Sequence, residues 1–300
     1  MKQMKKYLNL LLLAAIILWV PFVGYGQHGL SYNQFGQLRS SFNGSLSLMD
    51  PDGGITLLTR QQWVGLDGAP KSYWASGHLG IKSLGMTVGL DVKDASFGVV
   101  RDRELSGYVA SGVRLSEKEY LALSVGGGIL MHAGNFSEVD PEDPNFAQDT
   151  RANQGVISLG TSYFKADRYY IGVSVPRFVL NKSKRDEEYE FHQVYYLTGG
   201  ALFRVEDGFH IRPSLIVSHM ENQDTRFDIN ALAFFAQKFG VGIGVQNKGD
   251  LSGLVQFNIG DFGIGYSYQF NPGSSTSNKR ISNNTHEIGL RYRVGGMKML

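Results

Sequence analysis

The chain has 300 residues, with 38 glycines, 3 Trp, 15 Tyr and 18 Phe, no cysteine and a formal charge of +2. So small a net charge excludes the basic field that nucleic-acid binding requires. The length allows two domains, but one all-β barrel of this size is routine, and no Ser- or Pro-rich linker divides the chain.

The first element is a targeting signal. Lys2, Lys5 and Lys6 precede an apolar run from Leu8 to Val20, and Pro21 and the pattern Gly24-Tyr25-Gly26 precede Gln27. A charged region, an apolar core and a small-x-small site predict a cleaved secretory signal peptide over residues 1–26. A retained anchor is the alternative, although the run is short against the ~20 residues of a helical span. No cysteine follows the cleavage region, which argues against a lipoprotein. Cleavage removes three lysines and no acid, leaving a formal charge of −1. Residues 27–52 follow as an N-terminal segment, periplasmic or plug-like.

From residue 53 the dominant period is two. Met86, Val88, Leu90 and Val92 alternate with Thr87, Gly89, Asp91 and Lys93; Phe239, Val241, Ile243 and Val245 alternate with Gly240, Gly242 and Gly244. The same alternation runs through residues 262–270 and 286–294. One face apolar and the other small or polar is the strand template. It predicts about fourteen strands of the length that crosses a bilayer when tilted. They fall at 54–63, 73–82, 84–93, 104–115, 119–131, 153–165, 168–177, 191–205, 208–219, 227–237, 239–247, 251–259, 262–271 and 285–294. Connections after even-numbered strands are tight, as at Lys82-Ser83, Ala166-Asp167 and Gly260-Asp261. Those after odd-numbered strands are mostly long and polar, as from Ala133, Asn181 and Asn271, with Asn247–Asp250 a short exception. This alternation predicts a transmembrane antiparallel β-barrel over residues 53–294, with both termini on the short-turn side and a tail over 295–300. A soluble sandwich or propeller is the competing fold, but its turns have no reason to alternate. Trp63, Trp74, Tyr108, Tyr120, Tyr169, Tyr170 and Phe270, near strand ends, suit interfacial girdles.

The stretch "RQQWVGLDGAPKSYW" from Arg60 closes the first strand and opens the first long connection. With the final "HEIGLRYRV" it resembles the PorP/SprF family of outer-membrane proteins of Bacteroidota, and the resemblance runs through most of the mature chain. "YNQF" at Tyr32–Phe35 also fits, but "SSFNGS" stands where the family commonly has an Asn-Pro-Ala-Tyr-Ala-Gly type segment, and "GGMKML" follows Val294. The resemblance implies a non-enzymatic barrel of type IX secretion and gliding. Its implied partners are outer-membrane lipid, a secreted adhesin or other cargo carrying a type B C-terminal domain, and periplasmic secretion components with peptidoglycan-linked proteins. The competing function is an outer-membrane channel or hydrophobic-solute transporter.

Arg60, Gln62, Trp63, Asp67, Gly68, Pro70 and Lys71 are the candidate partner-binding residues. On a strand Arg60 and Gln62 share one face and Gln61 and Trp63 the other. Two readings therefore stand: a docking loop, or a lumenal Arg60 and Gln62 with Trp63 as an interfacial anchor and a Gly68 turn. No catalytic site, metal or cofactor is expected. The seven histidines are scattered without a metal-ligand spacing. Ser218 and His219 are sequence neighbours, which a strand turns to opposite faces. The acidic run Asp140–Asn145 lacks the EF-hand loop pattern.

Overall fold

Only an extended backbone places every second side chain on one face, so the alternating sequence commits the chain to strands from Gly54 onward. The computed structural model describes residues 31–139, 148–179, 192–221, 223–247, 249–270, 272 and 284–295. The expected signal peptide, residues 27–30 and residues 296–300 of the tail lie outside the described residues. The strands are β1 (Gly54–Gln62), β2 (Lys71–Ile81), β3 (Met86–Phe97), β4 (Val100–Arg114), β5 (Glu119–Gly134), β6 (Thr150–Lys165), β7 (Tyr169–Val179), β8 (Val194–Ala201), β9 (Phe203–Glu206), β10 (Phe209–Met220), β11 (Arg226–Phe235), β12 (Phe239–Gln246), β13 (Leu251–Ile259), β14 (Phe262–Phe270) and β15 (Thr285–Arg293). β8 and β9 both pair with β10 and form one stave, interrupted at Leu202. Fourteen antiparallel staves result, as the alternation predicted. β1 pairs with β15 from Gly54↔Arg293 to Gln62↔Thr285 and closes the sheet into a barrel.

The tight connections sit at one end, at 82–85, 115–118, 166–168, 207–208, 236–238 and 260–261. One expected long connection is absent. The polar run 94–103 extends the β3–β4 hairpin to a two-residue turn at Gly98-Val99, with Gly98 at φ +56°. Charge pairing holds this projecting tip together: Arg101 donates to both Asp94 carboxylate oxygens (Nε 2.9 Å, Nη2 2.6 Å), and Arg103 Nε lies 3.3 Å from Oδ2. Its low apolar content hid the strand from a reading based on hydrophobic alternation.

The outward face is apolar around the barrel, from Ile55 and Leu57 on β1 to Ile288 and Leu290 on β15. The inward face is mostly polar or small, with patches of large apolar side chains, and the space it encloses is filled. Residues 31–52 run through the lumen as 3-10 turns at Phe35–Gln37 and Gly44–Met49 flanking one α-helical turn at Arg39–Phe42. The Ser31 hydroxyl donates to Asp228 (3.3 Å) and accepts from Gln246 Nε2 (3.1 Å) near the long-loop ends of β11 and β12. Asp50 meets Arg293 (2.7 Å) at the opposite end, so the segment descends the length of the bore. Tyr32, Phe35, Leu38 and Phe42 pack on Leu58, Trp74 and Ile216. Lower down, Leu46 and Met49 pack on Phe164, Tyr170, Leu232 and Phe234. The wall is thinned by glycine where the segment touches it most closely. Asn43 Nδ2 donates to the main-chain oxygens of Thr161 (2.9 Å) and Val173 (3.2 Å), and a Cβ at Gly160 would stand 2.3 Å from its Oδ1.

This packing corrects the girdle expectation. Trp74, Tyr108 and Tyr170 point inward and are buried, and Tyr120 packs against the lower lumenal cluster. Tyr169 and Phe270 face outward. A strand sends neighbours to opposite faces, so one shift in parity separates a girdle aromatic from a lumenal one.

If the outward face meets lipid, cation cost depends on depth. Ile243→Arg, at mid-stave and 66 % exposed, should cost about 2–4 kcal/mol, while Ile259→Arg at the short-turn end should cost about 0–1 kcal/mol. The check is the temperature at which the folded band converts on gels of unboiled samples.

Candidate functional site

Two neighbourhoods emerge from the opening motif, one inside the barrel and one on its rim. Inside, parity turns Arg60 inward, where it is 3 % exposed. Its Cα partner across the β1–β15 seam is Glu287, itself 0 % exposed. Arg60 Nη1 bonds Glu287 Oε1, and Arg60 Nη2 donates to Gln269 Oε1 at 3.2 Å. Glu287 also accepts the main-chain N–H groups of Asn33 (2.8 Å) and Gln34 (3.0 Å) and the Ser267 hydroxyl (3.4 Å). One carboxylate thus answers a wall cation and two backbone donors of the lumenal segment. A buried charge is tolerated only with such pairing.

A second lumenal network lies beside β2–β4 and β7. Trp74 Nε1 donates to Asp91 Oδ1 (3.2 Å), Lys93 Nζ stands 5.0 Å from the Trp74 ring centroid, and Arg177 pairs with Glu104. Pro176 explains how Arg177 arrives there. β7 loses register with both neighbours around residues 175–177, a bulge of the kind that re-aims a side chain.

On the rim, residues 63–70 form an ordered connection. Gln62 N–H donates to Pro70 C=O (2.9 Å), Leu66 N–H to Trp63 C=O (3.1 Å) and Ala69 N–H to Leu66 C=O (3.2 Å). Gly98 N–H donates to Gly68 C=O (2.8 Å), and Asn135 N–H to Val99 C=O (3.0 Å), so three successive connections brace one another. Ser137 donates its hydroxyl (2.8 Å) and N–H (3.2 Å) to Asp149 Oδ1. These bonds hold the Asp149 carboxyl below the usual carboxylate range, the hydroxyl contributing most.

The seven motif residues therefore divide. Arg60 belongs to the lumen. Gln62 is half-buried; Trp63, at φ +47°, packs edge-on against Phe97 with centroids 6.1 Å apart. Pro70 is buried, whereas Asp67, Gly68 and Lys71 are exposed beside Val64 and Leu66. Glu287 and Gln269 are partners of Arg60, and Asn33 and Gln34 of Glu287, that the motif alone did not reveal. For Glu287 and Gln269 the signal was inward parity on the last two staves, and Asn33 and Gln34 stand within "YNQF", but nothing local named Arg60 as the target. Among the described residues no group of three or more His, Asp or Glu converges as a metal site would need. His219 sits apart, bonded to Thr225 (3.0 Å). The acidic run 140–145 lies outside the described residues.

A family model described as "Type IX secretion system membrane protein PorP/SprF" matches residues 25–292. A comparison with curated proteins returns no match. Similar solved structures include the Acinetobacter baumannii outer membrane protein Omp33, at 8% identity and TM-score 0.46 over 82% of this chain and 100% of that one. The Ralstonia pickettii toluene transporter TbuX aligns at 10% identity and TM-score 0.48 over 83% and 94%. A Pseudomonas aeruginosa FadL homologue aligns at 8% and 0.46 over 85% and 93%.

Glu287→Ala should cost about 3–5 kcal/mol, because it leaves the Arg60 guanidinium buried without its counter-charge. Arg60→Met together with Glu287→Leu should cost less than the sum of the two single changes. Urea unfolding of the barrel in detergent micelles measures both.

Proposed function

The chain belongs to the PorP/SprF family of type IX secretion system membrane proteins and folds as an outer-membrane type of barrel, and from that premise we propose that it acts by docking protein. It is a non-enzymatic element of type IX secretion and gliding. It aids export or surface anchoring of a secreted adhesin or cargo, and its short-turn end faces the periplasmic apparatus. The observation that carries this reading is the filled bore. Residues 31–52 are tied to the wall from Ser31 to Asp50, whereas a diffusion channel needs an open path. The braced rim supports the same reading. It offers Asp67 and Lys71 beside exposed Val64 and Leu66 on a scaffold fixed by backbone hydrogen bonds. An apolar patch set among charges on a pre-ordered loop suits protein recognition, because little conformational entropy remains to be lost on binding.

Asp67→Ala combined with Lys71→Ala should lower the amount of adhesin displayed on the cell surface while folded barrel stays constant. Antibody labelling of intact cells, read against the heat-modifiable band, measures both. Normal display would remove this loop from docking. In planar bilayers the wild-type barrel should conduct poorly; a large steady conductance would favour the channel.

Orientation has its own test. The chain has no native cysteine, so Leu66→Cys should react with an impermeant maleimide on intact cells. Ser83→Cys should react only after the cells are opened. The reverse pattern would invert the barrel.

A further inference from the structure

At the short-turn end, a cleft between the lumenal segment and the wall is lined by Gln37, Arg39, Asp50, His78, Arg291 and Arg293. Arg39 Nη2 (3.3 Å) and Arg293 Nη2 (2.7 Å) both approach the same oxygen, Asp50 Oδ2. Among the described residues that line the cleft, Asp50 is the one carboxylate beside the guanidinium groups of Arg39, Arg291 and Arg293. Arg291 is only 4 % exposed, and neither its Nε nor its Nη2 has a hydrogen-bond partner among the described residues. It stands inward on β15 with Thr56 of β1 and Gly263 of β14 as its cross-strand neighbours; neither supplies a charge. Protein interiors tolerate buried cations only when paired, and guanidinium N–H groups that lack a protein partner are met by an anion.

We propose that this cleft binds a small inorganic anion, of chloride size, held by Arg291 from the wall together with Arg39 and Arg293. Size decides between anions. The space beside these groups is about 20 Å³, room for one water-sized species, so a monatomic anion fits with less displacement of the lumenal segment than an oxyanion such as phosphate. The bound ion completes the anchorage of residues 31–52 at the end opposite Glu287.

The test uses the full-length protein in detergent. Sodium chloride is exchanged for sodium gluconate at constant ionic strength, and the unfolding midpoint is followed. Since an ion that binds only the folded state stabilises it by mass action, the midpoint should rise with the logarithm of chloride concentration. In Arg291→Met the dependence should vanish, and in Arg291→Lys it should weaken. Crystals of the wild-type protein grown in sodium bromide need no variant and should show an anomalous peak at hydrogen-bond distance from Arg291. A midpoint indifferent to chloride, or raised by phosphate and not by chloride, overturns the proposal. So does a bromide crystal with no peak at Arg291.

Discussion

Glu287 has no exposure to solvent, yet it carries a formal charge, and that charge is satisfied from three directions at once. Arg60 reaches it across the seam, the main chain of Asn33 and Gln34 donates to it from inside, and Ser267 supports it from the neighbouring stave. Removing either charge of the Arg60–Glu287 pair leaves the other buried without its counter-charge, which costs far more than an ordinary hydrogen bond returns. Barrel closure and seating of the lumenal segment are thus one electrostatic arrangement. The remainder of the interior follows from it, because a segment fixed at Asn33 must run down the bore to reach β1.

An apolar outer face turns the usual protein inside out, and the lumen then needs a core of its own. This one mixes chemistries that a soluble core separates. Phe42 meets Trp74 and Tyr196 edge-on at 5.2 Å, while Lys93 stands against Trp74, and Glu104 with Arg177 lies in the same interior. Aromatic rings fill volume and also receive cations on their faces. The tyrosines and tryptophan therefore do two jobs that leucines could not.

The staves were legible in the sequence because hydrocarbon imposes a strict demand on alternate residues, and glycine or serine on the other face sharpened the contrast. Turn length alternation was legible for the same geometric reason. What escaped was whatever depends on a partner far away in the chain. Trp74 and Tyr170 sit near strand ends like girdle aromatics, and only the lumenal segment explains why they point inward. The 94–103 hairpin tip is held by Asp94 with Arg101 and Arg103 rather than by apolar burial, so hydrophobic pattern could not show it. Arg60 was singled out from its motif, but Glu287 lies 227 residues away, and no local rule joins them.

That separation has a consequence for how the molecule comes into being. Until β15 is delivered, β1 and β14 are open edges with unpaired backbone groups, a state that invites the wrong partner and that lipid does not tolerate. Loop-closure entropy grows only slowly with length, so the difficulty is one of timing rather than of thermodynamics. The barrel is completed by a ring-closing event between the first and last strands. The lumenal residues directly precede β1 in the chain, yet the carboxylate that ties Asn33 and Gln34 to Arg60 reaches them only on the strand that shuts the ring.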